Sequence, residues 1–398
     1  MSIVRWTLLV VLVLGAMLVA SLSADSHGWQ ASVRWASERA AQWRREAPEC
    51  PVLHGEAKAG SSRAGYEAAA RLAAGVNGKQ LDRLRELVEA TGDAGLPTAE
   101  DRELLATLAP AAEALRVAAH QQGTDGGGVT PAAWPTSDGL FELLGLHAAL
   151  LLQARDQTRN GDLVGAFDCL LDGLACGVDL TTFETPLVQS IGAFVVQKIV
   201  LAFEEALLQQ ADIALLARLA DALAKADAAL TVESRMPAQA AVHVVSMLRE
   251  KPVVDAQDLG MATPLCAWRH GFSVRRSGMA RAEQLTALVQ RFERESTPSE
   301  TWPSRRLRLL AVVAEDRANN SDLFSPFLER AVELEEQRRE ASAHLRLLRL
   351  AVAFHRRAPL PDLQDPLGEG ALTVTTAGDS ATFASVGHGI ERVLHRRR

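Results

Sequence analysis

The sequence predicts an all-α protein in which irregular helical hairpins stack as an α-solenoid or bundle, with a small β-hairpin near the carboxyl terminus. Aromatic residues make up only 5% of the 398 residues, with Tyr66 as the single tyrosine. Strands prefer aromatic and β-branched side chains, so this composition favours helix. Apolar residues recur with helical periodicity over most of the chain. At 48% hydrophobic, the chain can bury a substantial core.

The amino-terminal segment is an apolar run from Thr7 to Leu22. It follows Arg5 and Trp6 and ends in small residues, a pattern typical of a secretory signal or an uncleaved membrane anchor. We therefore predict residues 1–24 as a signal peptide or membrane anchor, and both alternatives stay open. Either one places the rest of the chain in the periplasm or on the outer face of the cytoplasmic membrane.

Residues 25–121 are predicted as an N-terminal helical region, with amphipathic stretches at about 28–47, 63–75, 78–91 and 99–120. Thr98 followed by Asp101 has capping-box character, which predicts Thr98 as an N-cap. The stretch Gly60-Ser61-Ser62-Arg63-Ala64-Gly65 misses the spacing of a nucleophile elbow by one residue. Ser61 or Ser62 is therefore predicted as a helix N-cap.

Residues 122–136 are predicted as a linker loop, because three consecutive glycines and two prolines interrupt the helical pattern. A phosphate-binding loop would need Gly-Lys-Ser/Thr at its end, and no lysine follows here. The loop is interpreted as a boundary between two helical regions.

Residues 137–358 are predicted as the main helical domain. Helices are expected at Leu140–Gln157, 163–178, 187–209 and 211–230, and the longest runs from Ser325 to about Arg357. Thr185-Pro186 predicts an N-cap with proline at the first helical position. The helix that follows is apolar on all sides, which predicts a place in the middle of the helical stack.

The turn Asn160-Gly161-Asp162, with Ala166 and Leu170 beyond it, resembles the second-helix pattern of tetratricopeptide repeats. The resemblance covers about one repeat, residues 140–180, and no second copy follows at the expected period. It implies a helical hairpin within a stack that offers a groove for a protein or peptide.

Residues 359–398 are predicted as a β-hairpin segment with a basic tail, with short strands at 372–376 and 381–386. The hairpin lies between Asp365-Pro366-Leu367-Gly368 and Ser385-Val386-Gly387. In this arrangement, residues 359–388 resemble the carboxyl-terminal segment of pseudopilins. The amino terminus lacks the glycine and glutamate of a pilin leader, so the resemblance implies a shared structural module and no shared activity.

The four cysteines lie far apart or in predicted helix. Cys169 and Cys176 are separated by two helical turns, about 10 Å, which is too far for a disulfide, and both are predicted as core residues. A Cys50–Cys266 bridge is the long-range pairing that export would permit.

No residue is predicted as catalytic, cofactor-binding or metal-binding. None of the ten histidines has a metal-ligand spacing, and no Cys/His cluster indicates zinc. His147 and His243 lie among apolar residues and are predicted as core histidines bonded to backbone carbonyls. The candidate partner-binding residues form the best basic cluster of the chain: Arg269, Arg275, Arg276 and Arg281.

The predicted function is that of a non-enzymatic interaction or scaffold protein, exported or membrane-anchored, whose partner is a protein or peptide. A net charge of −7 gives no attraction to nucleic acid, which is not expected as a partner. One alternative is a cell-envelope hydrolase with a cleft beside residues 121–137, favoured by an accessible His147 or His243 near a carboxylate. The other is a carrier of an apolar ligand, favoured by a cavity beside the helix around Phe194.

Overall fold

A computed structural model describes most of the chain from residue 51 to residue 395. The described residues are 51–90, 95, 97–123, 137–182, 186–206, 211–231, 282–295, 301–320, 325–377, 380–387 and 389–395, together with 34, 35, 38 and 42. The predicted leader lies outside them, as does most of the predicted helix at 28–47. No helix in these ranges is both long enough and apolar enough to cross a membrane.

Ten helices dominate the described residues, which confirms the predominantly helical class. They are α1 (Ser62–Ala73), α2 (Gly78–Glu89), α3 (Ala99–Ala119), α4 (Ser137–Arg159), α5 (Leu163–Leu180), α6 (Pro186–Ala206), α7 (Ile213–Thr231), α8 (Ala282–Glu295), α9 (Trp302–Asn320) and α10 (Ser325–His355). The choice between solenoid and bundle stays a prediction. Helix α9 was not identified from sequence, since its closely spaced arginines obscure the apolar periodicity.

Side-chain caps set where several helices begin. The hydroxyl of Thr98 accepts from the Asp101 N–H at 3.2 Å, and the Asp101 carboxylate accepts from the Thr98 N–H at 2.9 Å, which confirms the predicted capping box. Ser61 accepts from the Ala64 N–H at 3.3 Å and is the predicted cap of α1. Asp162 caps α5 by accepting from the Gly165 N–H at 3.0 Å. Each such cap stabilises its helix by about 1 kcal/mol.

The chain divides into two compact units. The described part of one unit consists of α8, residues 305–320 of α9 and residues 325–333 of α10, together with residues 34, 35, 38 and 42. Three ion pairs connect these helices: Arg291–Glu315 at 2.6 Å, Glu295–Arg308 at 3.1 Å and Arg317–Glu329 at 2.9 Å. Solvent-exposed pairs of this kind contribute about 0–1 kcal/mol each, so packing around buried residues such as Phe292 must supply most of the stability.

The other unit holds α1 to α7, residues 334–355 of α10 and the carboxyl-terminal strands. Helix α5 is its central element, with every residue from Cys169 to Leu180 buried. It contacts α3, α4, α6 and α7. The prediction that the helix beginning at Pro186 would lie in the middle of the stack is wrong. On α6, Phe194 is 45% exposed and Leu201 is 38% exposed, because only one face of this apolar helix packs against α4 and α5.

Two short strands join distant parts of this unit. β1 (Lys58–Ser61) pairs in parallel with β2 (Gln121–Gly123). From sequence, Gln121 is expected at the end of the N-terminal helical region and Gln122 and Gly123 in the linker loop, so β2 corrects both assignments. Strands of three or four residues are too short to show an alternation of apolar and polar side chains. Their pairing depends instead on the tertiary contact between α1 and α3.

The predicted carboxyl-terminal hairpin is present, but a third strand extends it. β3 (Thr373–Ala377) pairs antiparallel with β4 (Ser380–Ser385), and β5 (Ile390–His395) pairs with the other edge of β4. The buried side of β4 presents Ala381 and Phe383 to Leu347, Leu350 and Phe354 on α10. The hairpin prediction is confirmed, and β5 is a strand that the sequence analysis did not predict. Residues 396–398 of the basic tail lie outside the described residues.

Asp365 connects the two motifs that resemble the pseudopilin segment. Its carboxylate accepts from the Ser385 hydroxyl at 2.9 Å, the Leu367 N–H at 3.0 Å and the Gly387 N–H at 3.3 Å. A Cβ on Gly387 would lie 2.4 Å from the carbonyl carbon and oxygen of Leu367, so only glycine fits there. The Asp-Pro-Leu-Gly and Ser-Val-Gly motifs thus form one hydrogen-bonded corner.

Candidate functional site

Two histidines and one aspartate from three separate segments converge beside α5. His54 precedes β1, His120 is the C-cap of α3, and Asp172 lies in the middle of α5. His54 Nε2 is 2.6 Å from Asp172 Oδ1, and His120 Nε2 is 3.1 Å from the same oxygen. One potential ligand atom from each residue lies within 4.8 Å of the others, the one such group among the described residues. We call these residues the His–Asp cluster.

Asp172 is almost fully buried, at 1% exposure, and both of its carboxylate oxygens contact other side chains. While Oδ1 faces the two histidines, Oδ2 accepts from Arg116 Nε at 2.8 Å. A buried carboxylate is costly unless it is paired and hydrogen-bonded, and Arg116 provides that pairing. Burial alone would lower the pKa of Arg116, but the hydrogen bond and negative charge of Asp172 outweigh burial and raise it. Arg116 thus fixes the carboxylate and leaves Oδ1 directed at the histidines.

The two histidine rings are positioned by the backbone around β1. The Lys58 N–H donates to the His120 carbonyl at 2.8 Å, which ties the end of α3 to the segment carrying His54. Gly55 has φ of +68°, and a Cβ there would lie 3.0 Å from His120 Cε1, so glycine both permits the turn and leaves room for the ring. The rings meet edge to face with centroids 4.7 Å apart.

Asp168, one turn before Asp172 on α5, lies on the far side of His54. Its carboxylate is 3.7 Å from His54 Nδ1 and is also paired with Arg218 of α7. The His54 ring therefore lies between two carboxylates. Burial lowers the pKa of His120; the charge of Asp172 raises it and offsets this in part, whereas the charge of His54 lowers it further. This lower pKa favours the neutral imidazole, the form that binds metal ions.

A second feature is a shallow cleft over α4, flanked by α2 and α6, with about 60 Å³ of space. We call it the α4 groove. Its floor and walls are mainly apolar, and its lining residues include Val88 on α2, Leu144, Ala148 and Leu151 on α4, and Phe194, Val195 and Ile199 on α6.

Charged side chains surround this groove. Lys198 of α6 pairs with Glu89 of α2 at 3.1 Å, which bridges the two flanking helices. The ammonium group of Lys198 also lies 5.3 Å from the ring centroid of Phe194, and the Arg85 guanidinium lies 5.7 Å from that of Phe141. Exposed aromatic rings paired with cations are suited to contacts with a partner surface.

His147 is a core histidine, as predicted, and it lies at the floor of the α4 groove. It is 3% exposed, and its Nδ1 lies 2.8 Å from the Leu143 carbonyl oxygen. Burial lowers its pKa to about 4, against upward contributions from the backbone of Leu143 and Gly173. A neutral, enclosed imidazole is not available for acid–base work on a substrate at neutral pH, so this residue does not meet the condition set for a hydrolase.

The other residues singled out from sequence have mixed outcomes. Cys169 and Cys176 are free and buried, as predicted. His243, Cys50, Cys266 and the arginine cluster lie outside the described residues: Arg269, Arg275, Arg276 and Arg281. Their suggested roles stay predictions.

The His–Asp cluster could not be found from sequence, because its members are up to 118 residues apart and share no spacing motif. One local signal was available: Asp172 interrupts the apolar stretch Leu170-Leu171-Asp172-Gly173-Leu174, and a charge inside a helix that must be buried needs a partner. The partner's identity cannot be read from that stretch.

The chain matches no protein-family model, no curated protein and no solved structure.

Proposed function

We propose that this chain is a non-enzymatic scaffold protein that acts outside the cytoplasm and binds a segment of another protein in the α4 groove. The single observation that best supports the proposal is the groove itself. It has an apolar floor between two helices, and Phe194 stands 45% exposed at its edge. Exposed aromatic and aliphatic side chains beside a groove are typical of sites that receive a peptide or helix.

The size of the groove argues for one anchoring side chain. Its volume of about 60 Å³ compares with roughly 150 Å³ for an engineered apolar cavity that accommodates benzene in another protein. Drug-sized ligands need pockets of about 300 Å³ or more. A leucine or isoleucine side chain presented by a partner suits the groove better than a whole apolar ligand, so the carrier alternative has less support.

The charged residues around the groove indicate which partner residue lies next to the anchoring side chain. Arg85 and Lys198 contribute two positive charges and Glu89 one negative charge. The Glu89–Lys198 pair is exposed and is worth about 0–1 kcal/mol, so a partner's carboxylate can replace Glu89 at little cost. The proposed occupant is therefore a protein segment with a branched aliphatic side chain next to an acidic residue.

The location outside the cytoplasm rests on the apolar run Thr7–Leu22. It is tested by separating membranes from the periplasmic fraction and sequencing the amino terminus of the recovered protein. Release into the soluble periplasmic fraction with a new amino terminus near residue 24 supports a cleaved signal, and membrane retention with an intact amino terminus supports an anchor. Recovery in the cytoplasmic fraction contradicts both.

Site-specific photo-crosslinking in the native cells tests the groove. Benzoylphenylalanine replaces Leu201, which is exposed two turns after Phe194 on α6, and in a parallel strain it replaces Val164, which is exposed on α5. We expect one protein adduct from position 201 that is lost with Ala148→Leu, because the larger side chain fills the groove floor. Ala106→Leu, the same change at an exposed position of α3, is the matched control and keeps the adduct.

Thermal unfolding of each variant verifies that the substitution leaves the protein folded. No adduct from position 201, the same adducts from position 164, or an adduct that survives Ala148→Leu in a folded protein each contradicts the proposal. The partner's crosslinked peptide must contain an aliphatic residue beside an acidic one, and a peptide without them refutes the stated chemistry.

A cell-envelope hydrolase is a second candidate, because His54 rather than His147 lies within hydrogen-bond distance of a carboxylate. His120 of the cluster also directly precedes β2 in the chain, where the region 121–137 named in the hydrolase alternative begins. The assay is release of soluble fragments from purified peptidoglycan and of fatty acids from phospholipid vesicles by the full chain. No release, or equal release by His54→Gln, rejects this candidate.

A further inference from the structure

We infer that the His–Asp cluster is a binding site for one divalent transition-metal ion of the Zn²⁺ class, with His54, His120 and Asp172 as ligands. The donors are two imidazole nitrogens and one carboxylate oxygen. This set suits Zn²⁺, Co²⁺ or Fe²⁺, whereas Mg²⁺ and Ca²⁺ prefer oxygen ligands throughout. The inference is independent of the α4 groove.

Two of the three separations between the ligand atoms are close to what such an ion requires, and the third, between the two histidine nitrogens, is within 4.8 Å. Bonds of about 2.0–2.1 Å at tetrahedral angles place neighbouring ligand atoms roughly 3.3 Å apart. Asp172 Oδ1 is 2.6 Å from His54 Nε2 and 3.1 Å from His120 Nε2. Entry of an ion therefore needs displacements of about 0.7 Å or less along these two separations.

The surrounding residues have the arrangement that orients metal ligands. Metal-binding histidines commonly direct their second ring nitrogen at a carboxylate, which fixes the ring and increases its basicity. His54 has Asp168 on that side, at 3.7 Å from Nδ1, and Arg218 holds Asp168 in turn. Arg116 occupies the second oxygen of Asp172, so that Oδ1 is the oxygen left for the ion.

An ion here would join three segments that local sequence does not connect. His54 belongs to the segment before β1, His120 ends α3, and Asp172 lies in the core of α5. Because the unfolded chain does not hold these ligands together, binding free energy adds to folding stability. The alternative is an ion-pair network in which Asp172 is neutralised by Arg116 and accepts hydrogen bonds from both histidines.

The test uses the purified full-length chain, freed of metal with a chelator, and titrated with Co²⁺ and Zn²⁺. We expect one Co²⁺ per chain with visible absorption bands of a low-coordinate site, displaced by Zn²⁺, and a melting temperature that rises with Zn²⁺ concentration. His54→Gln and His120→Gln should each weaken binding at least tenfold. His355→Gln, at the end of α10 and outside the cluster, should not change it.

Asp168→Asn separates a metal site from an ion-pair network. It should retain one ion per chain but weaken binding by about tenfold, as expected for a residue that orients a ligand. Melting temperatures in chelator show whether each variant is folded. If His120→Gln is unfolded, His120→Asn takes its place. Absence of binding, or binding that is equal in wild type, His54→Gln and His120→Gln, overturns the inference.

Discussion

Ionisable side chains inside α5 are the residue-scale feature that most distinguishes this protein. Asp172 and Asp179 are both buried, two turns apart on the same side of the helix. Asp172 is paired with Arg116, and Asp179 accepts from the Ser62 hydroxyl at 2.7 Å. Since an unpaired buried carboxylate would cost several kcal/mol, these contacts tie the first residue of α1 and the end of α3 to α5.

The two cysteines of α5 should be unreactive in the folded chain. Burial raises the pKa of Cys169 to about 12 and that of Cys176 well above its ordinary value. At about pH 8 only ~10⁻⁴ of the Cys169 thiol would be thiolate, the reactive form. In a chain carrying Cys50→Ser and Cys266→Ser, we expect a disulfide-exchange reagent to label Cys169 and Cys176 only at the rate of unfolding. Rapid labelling of either thiol without denaturant would contradict this burial.

His147 should make stability depend on pH. Burial lowers its pKa to about 4 from 6.5, so the unfolded chain binds this proton at higher pH than the folded chain. The free energy of unfolding is therefore highest above the unfolded pKa and falls as the pH drops from 6.5 towards 4. This contribution amounts to about 2 kcal/mol between about pH 7.5 and pH 5.

The measurement for His147 is urea unfolding of wild type and His147→Leu at both pH values. The wild type should lose about 2 kcal/mol more than the variant on acidification, because leucine does not titrate. Equal losses in wild type and His147→Leu would assign the acid sensitivity to other groups.

At the scale of elements, the backbones of α5 and α6 approach each other closely at Gly192. A Cβ on Gly192 would lie 2.7 Å from both the Gly177 carbonyl oxygen and the Thr181 nitrogen. These are backbone atoms, which cannot rotate away as a side chain can. The approach of the two helices therefore depends on glycine, in addition to their apolar faces.

Gly192→Ala should consequently destabilise the protein by about 1–3 kcal/mol, since the helices must separate to admit the methyl group. Gly75→Ala is the matched control: a Cβ there meets nothing within 4 Å. Urea unfolding of both variants tests the prediction. A Gly192→Ala variant as stable as Gly75→Ala would show that the crossing is looser than described.

For the molecule as a whole, ion pairs join α10 to α7, and a hydrogen bond and one polar corner join the carboxyl-terminal segment to α10. Arg346 Nε of α10 lies 2.8 Å from the Asp227 carboxylate of α7, and Arg349 contacts the same carboxylate. Arg346 also donates to the Gln364 carbonyl at 2.6 Å, which brings the segment before β3 onto α10. The corner made by Asp365 then holds the sheet in place.

Asp365→Ala should release this sheet. The Ser385 hydroxyl and the Leu367 and Gly387 N–H groups would lose their acceptor, at a cost of about 2–3 kcal/mol. We expect faster hydrogen exchange at the β4 amides, with α1 to α7 unchanged. Asp362→Ala removes an exposed carboxylate nearby and is the control. Protection of β4 equal to that of the control would show that the apolar contacts alone hold the sheet.

By itself, the sequence determined the helical class, most helix boundaries between residues 62 and 231, the caps at Ser61 and Thr98, and the carboxyl-terminal hairpin. These depend on interactions within a few residues of one another, which periodicity and capping rules describe. Only the tertiary structure decided that α5 rather than α6 is central, that β5 completes the sheet, and that His54, His120 and Asp172 meet. In each case the deciding contact joins residues far apart in the chain, because burial depends on which neighbour covers a surface. An apolar helix such as α6 has the same sequence pattern whether one face or all of its faces are covered by neighbouring helices.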